Sequence, residues 1–246
     1  MLDIVVPVYN EGDNIGNLLN NVSMQINEQK KVIIVYDFEE DTTVTVVNKI
    51  KNTFDFEINL KRNNYGRGAL NAIKTGLETA DSEAVVVIMA DLSDSLEIID
   101  DMYKLIHNAG YDLVCGSRYM QGGEQHGGPF LKGLFSRIAG VTLHFLTRIP
   151  THDISNSFKM YRSSMIRSMT IESAGGFEIG MEITVKAYIN GYRITEIPSK
   201  WFDREEGKSN FKMWEWIPYY LHWYFLCVLK SWSGKRKRTA KAEKDN

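Results

Sequence analysis

Apolar, β-branched runs at residues 4–8, 32–35, 56–60, 84–89 and 113–116 alternate with stretches of helical period at 15–24, 43–51, 69–79 and 96–109. Runs that are apolar at every position, not only at every second one, belong to strands buried on both faces. Such strands, separated by helices, build a mostly parallel sheet with right-handed crossovers and helices on both sides, an α/β fold. Ligands bind such sheets beyond the carboxyl ends of the strands, so the residues just after each strand are where chemistry is sought.

After residue 116 the rhythm gives way to a loop bearing Gly122, Gly123, Gly127 and Gly128, then an amphipathic helix near 131–146, a short strand near 157–161, a helix near 182–190 and a strand at 193–198. This half reads as acceptor-side elaboration of the first, so residues 1–212 are expected to form one catalytic domain. A chain of 246 residues without solenoid or propeller repeats is of a size to bury one substantial core. A net charge of −2 supplies no global basic field, which argues against a nucleic-acid partner. Cys115 and Cys227 have no partner at CxxC spacing, so neither a disulfide framework nor structural zinc is expected. The first apolar run has no basic segment before it, and a cytoplasmic location is expected.

The first strand ends in VVPVYNE, where Tyr9 and Glu11 are placed to stack on a base and accept its hydrogen bonds, or simply to turn the chain into the next helix. The second runs into YDFEEDTT. Asp41 stands where it would cap the helix at Thr43, while Asp37, nearer the strand end, is placed for a ligand. The third leads into NYGRGA, whose Gly66, Arg67 and Gly68 open a helix and let backbone N–H groups approach a phosphate or ribose. A dinucleotide fingerprint would fall two strands earlier and has Asn71 in place of its third glycine. The fourth strand runs out into Met89-Ala90-Asp91-Leu92-Ser93-Asp94. Asp91, followed within three residues by Asp94, offers hard oxygens to Mg²⁺ or Mn²⁺; Ser93, Asp94 or Ser95 is also placed to cap the following helix, and capping is the role expected of Asp94.

These motifs in this order, with GSRYMQGG from Gly116, DISNSFK from Asp153 and Arg204-x-x-Gly207-x-Ser209, resemble the inverting GT-A glycosyltransferases of family 2, and among them the dolichol- and polyprenyl-phosphate sugar transferases. The likeness spans nearly the whole chain. It implies a Rossmann-like GT-A sheet, with Pro7, Tyr9, Glu11 and Asp37 as nucleotide contacts, Asp91 as a metal ligand, and Arg204 with Ser209 on a loop closing over the donor diphosphate. It further implies Arg118, Lys132 and Ser136 as the acceptor-phosphate group, a GDP- or UDP-hexose donor, a polyprenyl phosphate acceptor, and a homo-oligomer or membrane partner protein as open options. Four positions depart from the pattern. Met89 stands for the first acid of the metal motif, Ser93 for a glutamine, Lys132 for an arginine, and Asn156-Ser157 for Ser-Gly. A thioether is a poor ligand for a hard cation, and lysine keeps the charge of arginine but loses its fork.

A phosphate acceptor is already anionic and needs no protein base; a hydroxyl acceptor would need one, and Glu182 is the candidate, with a structural hydrogen-bonding role as the alternative. A catalytically silent nucleotide-sugar-binding protein is the third reading. Residues 213–234 are rich in Trp and Tyr but interrupted by Glu215 and His222, so this segment is expected to lie on a membrane surface, with packing on the catalytic core or in a dimer contact as the alternative. Residues 235–246, with Lys235, Arg236, Lys237, Arg238 and Lys241, read as a basic flexible tail able to meet anionic lipid or to aid solubility.

Overall fold

The computed structural model describes the backbone of residues 1–203 and 213–242, and side chains for 1–203 and 215–234. In chain order its elements are β1 (Leu2–Pro7), α1 (Gly12–Gln25), β2 (Lys30–Tyr36), α2 (Thr42–Ile50), β3 (Glu57–Arg62), α3 (Ala69–Thr79), β4 (Ala84–Val87), α4 (Ile99–His107) and β5 (Leu113–Ser117). There follow β6 (Glu124–His126), α5 (Phe130–Thr147), β7 (Lys159–Arg162), α6 (Ser163–Arg167), α7 (Ile179–Ile189), β8 (Ile194–Pro198), β9 (Lys200–Phe202) and α8 (Met213–Ala242).

The main sheet has the order β3-β2-β1-β4-β7-β5-β8. The β1–β2, β2–β3, β1–β4 and β5–β8 pairs are parallel, as the alternation of strands and helices predicts. The exception is β7, inserted antiparallel between β4 and β5, so the crossover through α4 skips a position that a later strand fills. Alternate side chains of the sheet feed two cores. Leu2, Ile4 and Val6 pack with α1 and α4 on one face, while Val5, Ile33 and Val35 pack with α3 and α7 on the other. Gly76 lets α3 lie against β1, since a Cβ there would meet Val5 Cγ1.

A third cluster joins α5, α7 and α8 through Leu143, Met181, Val185, Trp223 and Cys227. One stripe of α8 is therefore packed on α5 and α7. The opposite stripe, Leu221, Phe225, Leu229 and Trp232, is exposed. Helical backbone continues to Ala242, past residue 235 where composition suggests a tail. Among the described residues no helix is long and apolar enough to cross a membrane.

Candidate functional site

The β1 end turns sharply because Asn10 adopts a left-handed conformation (φ 55°) and is stitched to α2: its N–H donates to Asp41 Oδ2 at 2.9 Å. Asp41 also caps α2 by accepting from Thr43 N–H at 2.8 Å, the role its position suggests. Glu11 occupies the N-cap position of α1 without a capping bond, and its carboxylate accepts from the Asn14 amide instead. Tyr9, 53% exposed, stands edge-on to Phe38 at 5.7 Å, and the Arg67 guanidinium lies over that same Phe38 ring at 4.9 Å. Asp37 holds the glycine-containing loop, accepting from Asn63 Nδ2 at 2.8 Å and from Gly68 N–H at 2.9 Å.

Beyond β4 the Ile88 N–H still donates to Val5, and then the chain leaves the sheet. Ser93 N–H donates to Asp91 Oδ1 at 3.1 Å, closing a tight turn through Leu92, a non-glycine residue at φ 55° whose side chain is anchored in the first core. The expectation that a side chain here caps the next helix is not met. The chain enters a 3₁₀ turn at Leu96–Ile98 behind Ser95, which makes no capping bond, because the Ser95 hydroxyl donates to Lys200 O at 2.9 Å. Asp94 is instead buried in the site with Oδ1 unpartnered. Burial, then the charge of Asp91, push its pKa up to about 7, and Arg118 works in the opposite direction.

Arg118 follows β5 and is clamped by Asp153 of the DISNSFK segment through Nε at 2.7 Å and Nη2 at 2.9 Å. Burial alone lowers a guanidinium pKa, but the adjoining Asp153 carboxylate outweighs it, and the Arg118 pKa stands above its ordinary value. Nη2 also donates to Ser136 Oγ at 3.1 Å, which in turn meets the Tyr119 hydroxyl and Ser155. Lys132 and Ser136, four residues apart on α5, share a face of that helix. In the same segment Asn156 donates to Gly116 O. Lys159 is fully buried, donates to the carbonyls of Ile154 and Asn156, and has its pKa lowered by that burial.

A cleft of about 930 Å³ gathers these groups: Pro7, Tyr9, Glu11, Asp37, Arg67, Met89, Asp91, Asp94, Arg118, Lys132 and Ser136 all line it. Gly66, at φ 91°, bends the loop but is not part of the lining. Arg204 and Ser209 lie outside the described residues; the chain is placed up to Asp203 beside the Asp91 turn, with Phe202 N–H donating to Ser93 O at 2.9 Å. Glu182 is not in the cleft. It is fully buried and accepts from the N–H groups of Glu172 and Ser173 and from Lys186, a structural carboxylate. Another stretch of the wall is largely apolar, built by Phe135, Ile138 and Ala139 of α5 and Ile217, Tyr220, Leu221 and Phe225 of α8.

The wall continues into an exposed surface that composition did not single out. Phe130, Leu131, Leu134, Phe135, Ile138, Val141, Phe145 and Leu146 of α5 are all exposed, beside the exposed stripe of α8. Their 3.6-residue spacing was legible in sequence, but nothing local told whether that face met the core or solvent. The same holds for Asp153 and Asp94, whose roles come from partners far along the chain.

Residues 3–170 match the family model described as glycosyl transferase family 2. The chain is 25% identical to a dolichol-phosphate mannosyltransferase of Pyrococcus furiosus over 98% of its own length and 66% of the relative's, slightly under two thirds. It is 23% identical to a polyprenol monophosphomannose synthase of Mycolicibacterium smegmatis, over 87% of its length and 85% of that protein's. In fold it is similar to glucosyl-3-phosphoglycerate synthase from Mycobacterium tuberculosis, solved with Mn²⁺, UDP-glucose and phosphoglyceric acid: TM-score 0.64 at 12% identity, covering 94% of this chain and 79% of that one.

Proposed function

The chain belongs to glycosyl transferase family 2, with a GT-A-type sheet, and we propose that it moves a hexose from a GDP- or UDP-sugar to a polyprenyl phosphate at a membrane surface, on its cytoplasmic side. The observation that carries this reading is that polar strand ends, the Arg118–Lys132–Ser136 group and an apolar wall open to solvent all line one cleft. A water-soluble donor and a lipid-borne phosphate each find a matching surface in it.

On this reading Tyr9 and Pro7 flank the base, Glu11 and Asp37 accept from base or ribose, and Gly66 and Arg67 set the loop that approaches the donor. Arg118 and Lys132 hold the acceptor phosphate with Ser136 beside it. Since Asp153 clamps the guanidinium beforehand, little ordering is left to do when the acceptor arrives. A phosphate monoester has its second pKa at about 6, so its oxygen is largely anionic at neutral pH and no protein base is needed. That oxygen forms a bond to the anomeric carbon from the side opposite the diphosphate. The anomeric carbon–oxygen bond to the diphosphate breaks, and the nucleoside diphosphate leaves with the electron pair. Asp91, with Arg204 and Ser209, serves the leaving group. The hard oxygen of Asp91 fits Mg²⁺ or Mn²⁺, which when bound supplies positive charge to the departing diphosphate.

The membrane reading rests on the exposed apolar faces of α5 and α8, two helices packed side by side. Incubating the protein with a panel of nucleotide sugars and a short polyprenyl phosphate, then weighing the products, tests the activity. A hexose on the lipid phosphate is the expected product. Transfer only to water-soluble hydroxyl acceptors, or no consumption of any donor, would overturn the proposal.

A further inference from the structure

The turn after β4 holds a carboxylate for which the reaction above has no task. Asp94 is 6% exposed and lines the cleft, and its Oδ1 has no hydrogen-bond partner. A buried carboxylate oxygen without a donor is unfavourable, and in a folded protein such an atom points to a missing ligand. The backbone around it is pinned to β9: Asp94 bridges Trp201, and the Ser93 carbonyl accepts from Phe202 N–H. The side chain is thereby held in place at the wall of the cleft.

On the other side of Asp91, Met89 packs its thioether against the second core and offers no hard oxygen. Resting on the donor reading, we propose that Asp94 is the second protein ligand of the divalent cation, so that the hard-oxygen pair of this chain is Asp91 and Asp94 on one short turn. A cation there would meet the unpartnered Oδ1 and relieve the repulsion between the two carboxylates. Among the described residues no three His, Cys, Asp or Glu side chains gather as a metal cluster. Two carboxylates leave most of a six-oxygen shell to donor diphosphate and water, so cation affinity depends on bound nucleotide.

The test follows Mn²⁺ by electron paramagnetic resonance, with and without GDP or UDP, in wild type, Asp94→Asn and Met89→Leu. Asparagine keeps shape but removes the anionic oxygen. Asp94→Asn is expected to weaken Mn²⁺ binding in the nucleotide complex at least tenfold, while Met89→Leu leaves it unchanged. In metal-free protein Asp94→Asn should melt no lower than wild type, since it removes a buried charge, and this separates a ligand from a fold-holding group. Unchanged Mn²⁺ affinity in Asp94→Asn, with nucleotide still bound, would overturn the assignment and leave the donor reading intact. A changed preference among donor sugars at unchanged Mn²⁺ affinity would also overturn it, placing Asp94 on the sugar. If wild type binds neither GDP nor UDP, the donor reading fails and the assignment with it.

Discussion

Removing Phe130 and Phe145 from the outer face of α5 should detach the protein from membranes without touching its fold. Both rings are exposed, 78% and 70% respectively, so neither contributes much to the core. Full burial of a Phe side chain is worth about 1.5–3 kcal/mol. If roughly half of the exposed ring surface enters the interface, each contributes about 1 kcal/mol, and the double change to Ser costs about 2 kcal/mol of partitioning, or roughly 30-fold. Sedimentation with vesicles containing phosphatidylglycerol measures this directly. Thermal stability should hold to within about 0.5 kcal/mol, as for other surface substitutions. Nucleotide affinity should be unchanged, since neither ring lines the cleft. A loss of vesicle binding under threefold in a folded variant would refute the reasoning, and a change in oligomeric state instead would show that the face meets another protein.

Other outcomes follow from the same geometry. Asp91→Ala should lose nearly all transfer, since the cation-binding carboxylate is expected to stabilise the leaving group by several kcal/mol, while circular dichroism shows an intact fold. Lys132→Ala should raise the apparent KM for polyprenyl phosphate far more than that for the donor, and a selective donor defect in steady-state kinetics would move Lys132 to the diphosphate side. Asp153→Ala removes the fully buried partner of an Arg118 side chain that is 11% exposed and strands most of its charge, so denaturant unfolding should show a loss of about 3 kcal/mol. Gly76→Val should be destabilising by about 1–3 kcal/mol or more in the same assay, because even a Cβ at that site falls 2.2 Å from Val5 Cγ1.

Much of this protein is local and therefore legible in the amino-acid order. The strands of the first half recur within a few residues of where unbroken apolar runs place them. Asp41 caps α2 because a carboxylate two residues before Thr43 N–H can scarcely do otherwise once the helix forms. The strand-end residues Tyr9, Asp37 and Asp91 meet in one cleft because parallel strands all point the same way, so their carboxyl ends share an edge.

Where the sequence misled, the deciding partner lay far along the chain. Asp94 resembles a helix cap when only its neighbours are considered. It becomes a buried, unpartnered carboxylate because β9, about a hundred residues later, binds the turn and takes up the Ser95 hydroxyl. Arg118 reads as a loop charge by itself, and Asp153 fixes it across 35 residues. The slot between β4 and β5 is likewise invisible until β7 fills it, since hydrogen-bond pairing carries no local periodicity.

By itself, then, the amino-acid order determined the alternation of strands and helices, the common edge at which they present their polar residues, and the family to which those residues belong. Only the tertiary structure decided which apolar faces stay uncovered, which carboxylate is left without a partner, and which arginine is clamped. The physical reason is that propensity, capping and periodicity act over a few residues. Burial and pairing are settled by surfaces brought together from distant parts of the chain, and the same Phe or Asp has opposite meanings depending on whether a partner arrives.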